Sequence, residues 1–252
     1  MSSSLPPLEI LLEDGPLIAV NKPGGLLTLG VPSGIPTLVA QVQAYLKQKH
    51  DKPGNVYLGV PHRLDRPVSG VVVFGRNSKA AARLAEMFRE RQVRKIYTAI
   101  VERPPEPASG ELRDWLLKVP DVARVETVPA ETPQAREAVL RYRTLQPVPE
   151  LGTAVLVEIE LLTGRMHQIR AQFGSRGWPV VGDKQYGATT ALSLPPFADE
   201  RDVPIALHAR ELTLKHPVRY DSLTISAPLP ATWGSIVLPQ DQVLSQEART
   251  GG

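Results

Sequence analysis

The chain contains no cysteine, which excludes disulfide staples and thiolate metal sites and leaves the compartment open. No apolar run approaches the ~20 residues that a membrane span requires. The start, Met1-Ser2-Ser3-Ser4-Leu5-Pro6-Pro7, lacks the basic region and apolar core of a signal peptide. A cytoplasmic protein is expected. There is no internal repeat and no Cys/His ligand spacing.

What is present is ordinary for a soluble globular protein: 42% hydrophobic and 22% charged residues. The 252 residues suffice for one large domain or two small ones, each with a real core. The net charge of +3 is weak evidence for any partner, but its distribution says more. From His62 to Lys95 there are nine Lys/Arg against three acids, a local charge of +6. Such a surface attracts phosphate backbones through counterion release, whereas the plainer reading is a solvated helix face.

The most distinctive stretch is Pro61-His62-Arg63-Leu64-Asp65-Arg66-Pro67-Val68-Ser69-Gly70. It has no regular apolar period and runs into Val71-Val72-Val73-Phe74, a buried-strand pattern. The polar cluster therefore belongs to a loop held by a core strand. Asp65 is its only acid, and Arg63 and Arg66 beside it favour the ionised carboxylate. That suits a nucleophile or base better than a proton donor. The competing structural reading is a set of ion pairs that fixes the strand entrance.

Along the chain, Leu17-Ile18-Ala19-Val20 reads as a buried strand and Asn21-Lys22-Pro23-Gly24-Gly25 as its closing turn. Pro36-Thr37 precedes a helix with Val39, Val42 and Leu46 on its apolar side. Asn77 or Ser78 caps a second helix, with Ala81, Leu84, Met87 and Phe88 as its stripe and Arg83, Arg89, Glu90 and Arg91 in water. A strand follows over Arg94 to Val101, with Tyr97, Ala99 and Val101 on one face and Thr98 and Ile100 on the other. Tyr97 there is a core residue by default and a base-stacking platform as the alternative. Six prolines between Glu102 and Arg136 predict an irregular excursion holding a short hairpin. Regular structure resumes from Ala138 to Leu145, then as a strand over Thr153 to Leu161 with Glu158 and Glu160 outward.

A second polar cluster comes next: Thr163-Gly164-Arg165-Met166-His167-Gln168-Ile169-Arg170. Met166, Ile169 and Phe173 mark the inner face of a short helix, which ends at Gly174 or Gly177. Arg170 flanks or joins that face, and a guanidinium there needs an anion. Asp65 is the acid in a comparable loop, so an Asp65–Arg170 pair is expected. Val180 to Gly187 reads as a strand and turn, Ile205 to Arg210 as a strand, and Leu212–Leu214 and Leu223–Ile225 as closing strands. His167, His208 and His216 are expected to be structural hydrogen-bonders. Residues 239–252 are polar and expected to fray.

Taken together, the clusters resemble the RluA-type family of RNA pseudouridine synthases. His62-Arg63-Leu64-Asp65 with Ser69-Gly70 resembles the family's catalytic motif, whose Asp is the essential residue. Val20-Asn21-Lys22-Pro23 with Gly25-Leu26-Leu27 resembles its N-terminal motif. Lys95-x-Tyr97-x-Ala99 matches the stretch supplying the active-site tyrosine. The Thr163 to Arg170 cluster matches the motif whose last Arg pairs with the catalytic Asp. Gly182-Asp183, Tyr186-Gly187, Leu207-His208-Ala209 and His216-Pro217 match the closing motifs. Val68 stands where the family usually has Thr, which removes a hydroxyl and no expected catalytic atom.

The resemblance implies an α+β pseudouridine synthase fold: a long mixed, mostly antiparallel sheet, flanking helices and a central catalytic cleft. The resemblance runs from about Leu17 to Pro228, and 17–238 is the expected catalytic domain, with 1–16 as an extension and no S4-type RNA-binding domain ahead of it. It implies isomerisation of uridine to pseudouridine in structured RNA by a monomer, without a metal or other cofactor, ribosomal RNA being preferred slightly over transfer RNA. Asp65, Tyr97 and Arg170 are the implied catalytic residues, with Asp65 acting either at C1′ as nucleophile or at the 2′ position as base. His62, Arg63, Lys22, Arg165 and Ile169 are the candidates for binding RNA. The target base must leave its stack, and the basic helix from Lys79 to Arg94 would hold phosphates. His62, Asp65 and Ser69 crowd one loop without a nucleophile elbow, which argues against a hydrolase triad. A non-catalytic RNA-binding module is the alternative, but it leaves Asp65 and Arg170 without a purpose.

Overall fold

The computed structural model describes residues 7–30, 35–51, 53–197, 199–234, 236 and 238. Its strands are β1 (Glu9–Asp14), β2 (Leu17–Lys22), β3 (Ser69–Gly75), β4 (Arg94–Val101), β5 (Ser109–Lys118), β6 (Val125–Val128), β7 (Arg136–Pro147), β8 (Val155–Leu161), β9 (Leu207–Lys215) and β10 (Ser222–Ser226). Its helices are α1 (Leu38–Lys49), α2 (Ser78–Arg89) and α3 (Gln168–Gly174). The chain divides into two compact units, each with its own run of paired strands.

The first unit comprises Met1–Arg94, Pro196–Pro204 and Ala209–Leu229. Its strand order is β1-β2-β3-β9, with β10 on β9, and the β1–β2, β2–β3 and β9–β10 ladders are antiparallel. The uninterrupted apolar runs of β2 and β3 are buried on both faces. Leu17, Ala19, Val71 and Val73 meet Leu84 and Met87 of α2 and Leu212, Leu214 and Ile225 from β9 and β10. Asn77 caps α2 by accepting from the Ala80 N–H at 2.8 Å, and Thr37 caps α1 in the same way at 3.2 Å. The buried side of α1 is Leu38, Val42 and Leu46; Val39 is only half-buried.

The second unit comprises Lys95–Pro195, Ile205–His208 and Pro230–Gly252. Its order is β4-β8-β7-β5-β6, antiparallel throughout. Here α3 packs on β5 and β6, with Leu116, Val125, Ala138, Ala171 and Tyr186 as a core and Met166 against it.

Several sequence expectations are corrected. The proline-rich excursion contains β5, a ten-residue strand paired with β7 from Ser109 to Leu116. Its prolines flank the strand and none interrupts it, so each backbone donor stays available to the ladder. The two stretches expected from Ile205 and from Leu212 merge into one strand, β9, which begins at Leu207 and runs through Glu211, 3.8 Å from Arg94. Val180 makes only a single bridge to Val101. Glu158 does not face outward: it is buried on β8, an inner strand, with Arg143 Nη2 at 3.4 Å. Met166 precedes α3 instead of opening it. The stretch read as an extension contains β1, which pairs with β2. Residues 239–252, expected to fray, lie outside the described residues.

Candidate active site

In the first unit, two loops interlock. The turn after β2 runs from Pro23 to Leu29, and the loop before β3 carries His62 to Val68. Lys22 is fully buried, and its ammonium donates to the carbonyls of Pro23 (2.9 Å), Leu26 (2.7 Å) and Arg66 (3.1 Å). Those three bonds match its three donors. Burial pushes Lys22 down to about 7, and the negative charge of Asp65 opposes that shift. Its expected part in contacting RNA is therefore corrected: a wholly buried ammonium bonded to backbone cannot meet a phosphate.

Asp65 is half-buried, between residues whose backbone is held by the Lys22 turn. Thr28 Oγ1 donates to the Leu64 carbonyl at 2.9 Å and accepts from the Leu64 N–H at 3.2 Å. The Arg66 carbonyl accepts from the Gly25 N–H at 2.8 Å as well as from Lys22. The Asp65 carbonyl accepts from the Val68 N–H at 3.1 Å. Arg66 pairs with Asp202 and lies 3.9 Å from Asp199. Gly25 adopts a positive φ of 89°, and a Cβ there would run into the Asp202 backbone.

His62, expected either to orient the Asp65 loop or to touch RNA, makes internal contacts. Its Nε2 accepts from the Val73 N–H at 3.0 Å, and its ring stacks on Phe88 at 4.4 Å. Arg63 is exposed. On the basic helix, Arg89 is paired with Glu86 and Glu90, and Arg83 donates to the Pro217 carbonyl and lies over the Tyr220 ring at 5.1 Å.

In the second unit, the loop before α3 is tied to β7. Thr163 Oγ1 accepts from the Val139 N–H at 2.9 Å and donates to Gln168 Oε1 at 2.8 Å. Gln168 Nε2 returns to the Val139 carbonyl at 3.1 Å. This lets the chain start α3 at His167, whose φ is +50°. The Tyr186 hydroxyl accepts from the Val125 N–H at 3.0 Å and lies 2.9 Å from His167 Nδ1.

Arg170, on α3, is buried. Its Nε donates to Asp183 Oδ2 at 2.6 Å and its Nη2 to Asp183 Oδ1 at 2.8 Å and Gln185 Oε1 at 2.9 Å. Its guanidinium also stacks 5.0 Å from the Tyr186 ring. Asp183 is thus an anion for the buried Arg170, and charge reasoning from the sequence passed over it. Its sign in the sequence was the Gly182-Asp183 pair, an acid in a turn that resembles a closing motif of the family. Tyr97 is half-buried on β4, Ile169 is buried, and Arg165 donates from Nε to the Glu137 carbonyl at 2.9 Å. His216 Nδ1 accepts from the N–H groups of Val218 and Arg219, and His208 is buried edge-on to Trp233, in line with structural histidines.

Comparison with known proteins sorts these features. The family model described as RNA pseudouridylate synthase matches residues 16–175. The dual-specificity RNA pseudouridine synthase RluA of Haemophilus influenzae is 32% identical over 225 residues, covering 88% of this chain and 93% of that protein. The tRNA pseudouridine synthase C of Salmonella typhi is 34% identical over 245 residues, covering 91% and 88%. The solved structure of human RNA pseudouridylate synthase domain containing 4 superposes with a TM-score of 0.70 at 27% identity, over 89% of this chain and 90% of that one. Fold and motifs together define an isomerase of RNA. The chain belongs to the RNA pseudouridylate synthase family, and within it to the RluA type.

Proposed function

We propose that this protein converts uridine to pseudouridine within structured RNA, with Asp65 as the catalytic carboxylate. In that isomerisation the bond from N1 to C1′ breaks, the uracil turns, and C5 joins C1′. C5 gives up its proton to solvent and N1 gains one, so atoms balance without a co-reactant. Asp65 acts at the ribose, as nucleophile at C1′ or as base at the 2′ position. Tyr97 stacks on the uracil and helps remove the C5 proton, Arg170 supports the carboxylate by charge, and Arg63 contacts RNA where the base has left.

The observation that carries this reading is the fixing of Asp65. The carbonyls of Leu64, Asp65 and Arg66 each accept a hydrogen bond from a named donor. Such an anchored carboxylate suits a reaction that depends on geometry, because misplacement by about 1 Å can cost 100-fold in rate. Ribosomal and transfer RNA are the candidate substrates. The slight preference for ribosomal RNA gains no support from the names of the relatives, one called dual-specificity and one a tRNA enzyme.

The test is tritium release from RNA labelled at uracil C5, with ribosomal and transfer RNA from cells lacking the enzyme as separate pools. Release by the intact protein and none by Asp65→Ala supports the reading, and the responsive pool names the substrate. Tight binding of both pools without release means an RNA-binding module instead.

A further inference from the structure

Thr28 belongs to no motif singled out in the sequence, yet it makes an unusual contact. Its hydroxyl bonds both backbone groups of one residue 36 positions away, donating to the Leu64 carbonyl and accepting from the Leu64 N–H. Both bonds are buried, and Thr28 itself is 2% exposed. The Leu64 carbonyl and the Asp65 nitrogen share one rigid peptide plane. Holding that carbonyl therefore sets the plane from which the Asp65 Cα and its side chain project.

Thr28 is in turn fixed from behind. Its carbonyl accepts from the Val39 N–H at 3.2 Å, and the Leu27 carbonyl accepts from the Leu38 N–H at 2.8 Å. Both donors lie in the first turn of α1, where N–H groups have no partner within the helix. A continuous line of bonds thus runs from the start of α1 through Thr28 to Leu64 and the Asp65 peptide. On the far side, Lys22 and the Gly25 N–H hold the Arg66 carbonyl.

We infer that Thr28 is a positioning residue for the pseudouridine synthase reaction, setting the Asp65 carboxylate through its two bonds to the Leu64 backbone. This rests on the reading of Asp65 as the catalytic carboxylate. Thr28 touches no substrate; it acts through the Leu64–Asp65 peptide. Valine has the shape of threonine without the hydroxyl, so Thr28→Val removes the clamp and keeps the packing. Serine restores the hydroxyl.

The experiment measures kcat, KM and RNA affinity for the intact protein, Thr28→Val, Thr28→Ser and Asp65→Asn, all below their unfolding temperatures. The expected result is a kcat lowered by roughly 10–100-fold in Thr28→Val, with KM and RNA affinity within about twofold. Thr28→Ser is expected to recover kcat to within about threefold of the intact protein. A Thr28→Val that melts earlier but turns over at the normal kcat overturns the proposal and leaves Asp65 in place. An active Asp65→Asn overturns the underlying reading instead. If Thr28→Val does not fold, Thr28→Cys, of similar size with a thiol that bonds weakly, replaces it; normal kcat there also overturns the proposal.

Discussion

Arg170 and Asp183 form a two-point ion pair in which both side chains are buried, to 6% and 1% exposure. The two parallel bonds fix the guanidinium plane, and the Tyr186 ring lies against it. Removing Asp183 takes away both bonds of that pair from a guanidinium that is buried. Asp183→Ala is therefore expected to lose about 3–5 kcal/mol of stability, measured by denaturant unfolding. Replacing both residues together by apolar ones of similar size is expected to cost less. A loss below about 1 kcal/mol for Asp183→Ala would show that Arg170 finds another anion.

Gly70 closes the Asp65 loop at the first residues of β3 with φ at +119°. A Cβ at that position would meet the Ala209 backbone, its nitrogen at 2.6 Å. Neither the backbone conformation nor the space tolerates alanine. Gly70→Ala is expected to cost about 3 kcal/mol or more. Gly15→Ala, at a φ of +53° with nothing within 4 Å, is expected to cost about 1–2 kcal/mol. Equal melting temperatures for the two variants would refute the close-approach argument.

The same positions show what could be read from sequence. The runs 17–20 and 71–74 are short, apolar and uninterrupted, and they form β2 and β3 because burial on both faces leaves no polar period to mislead. Asn77 and Thr37 announced their helices through side-chain chemistry that acts within three residues. What stayed hidden depends on distant partners. Asp183 is an ordinary acid in a turn until α3 brings Arg170 to it. Thr28 is one threonine among leucines until Leu64 reaches it. Lys22 looks like a surface cation, since no local pattern shows that three carbonyls and a covering turn will enclose it.

Lys22 makes a pH-dependent prediction. In the folded protein it loses its proton at about 7, and in the unfolded chain near its ordinary 10.5. Below pH 7 both states carry the charge, and the cost of burying it is fully present. Between these values the unfolded chain binds the proton that the folded one does not, so stability rises with pH. Lys22→Met lacks this contribution. From pH 6 to pH 10 the stability of the intact protein relative to Lys22→Met should rise by up to a few kcal/mol, on the order expected for such a shift. A difference that stays flat across that range would mean the three carbonyls keep Lys22 charged.

Tyr97 separates stacking from proton transfer. It lies half-buried on β4, where Tyr97 pairs with Ile159 of β8 and its neighbours Ile96 and Thr98 are buried. The strand fixes its ring, and phenylalanine would occupy the same place. On the proposed mechanism, Tyr97→Phe keeps the stack and loses the hydroxyl that helps take the C5 proton. Proton transfer by a placed side chain contributes roughly 100–10,000-fold. Tyr97→Phe is therefore expected to bind RNA within about twofold of the intact protein and to release C5 tritium at least 100-fold more slowly. Tyr97→Ala is expected to weaken RNA binding as well, since the loss of one base stack is worth about 1–3 kcal/mol. If Tyr97→Phe releases tritium at the normal rate while Tyr97→Ala binds weakly, Tyr97 is a platform for the base and the C5 proton leaves by another route.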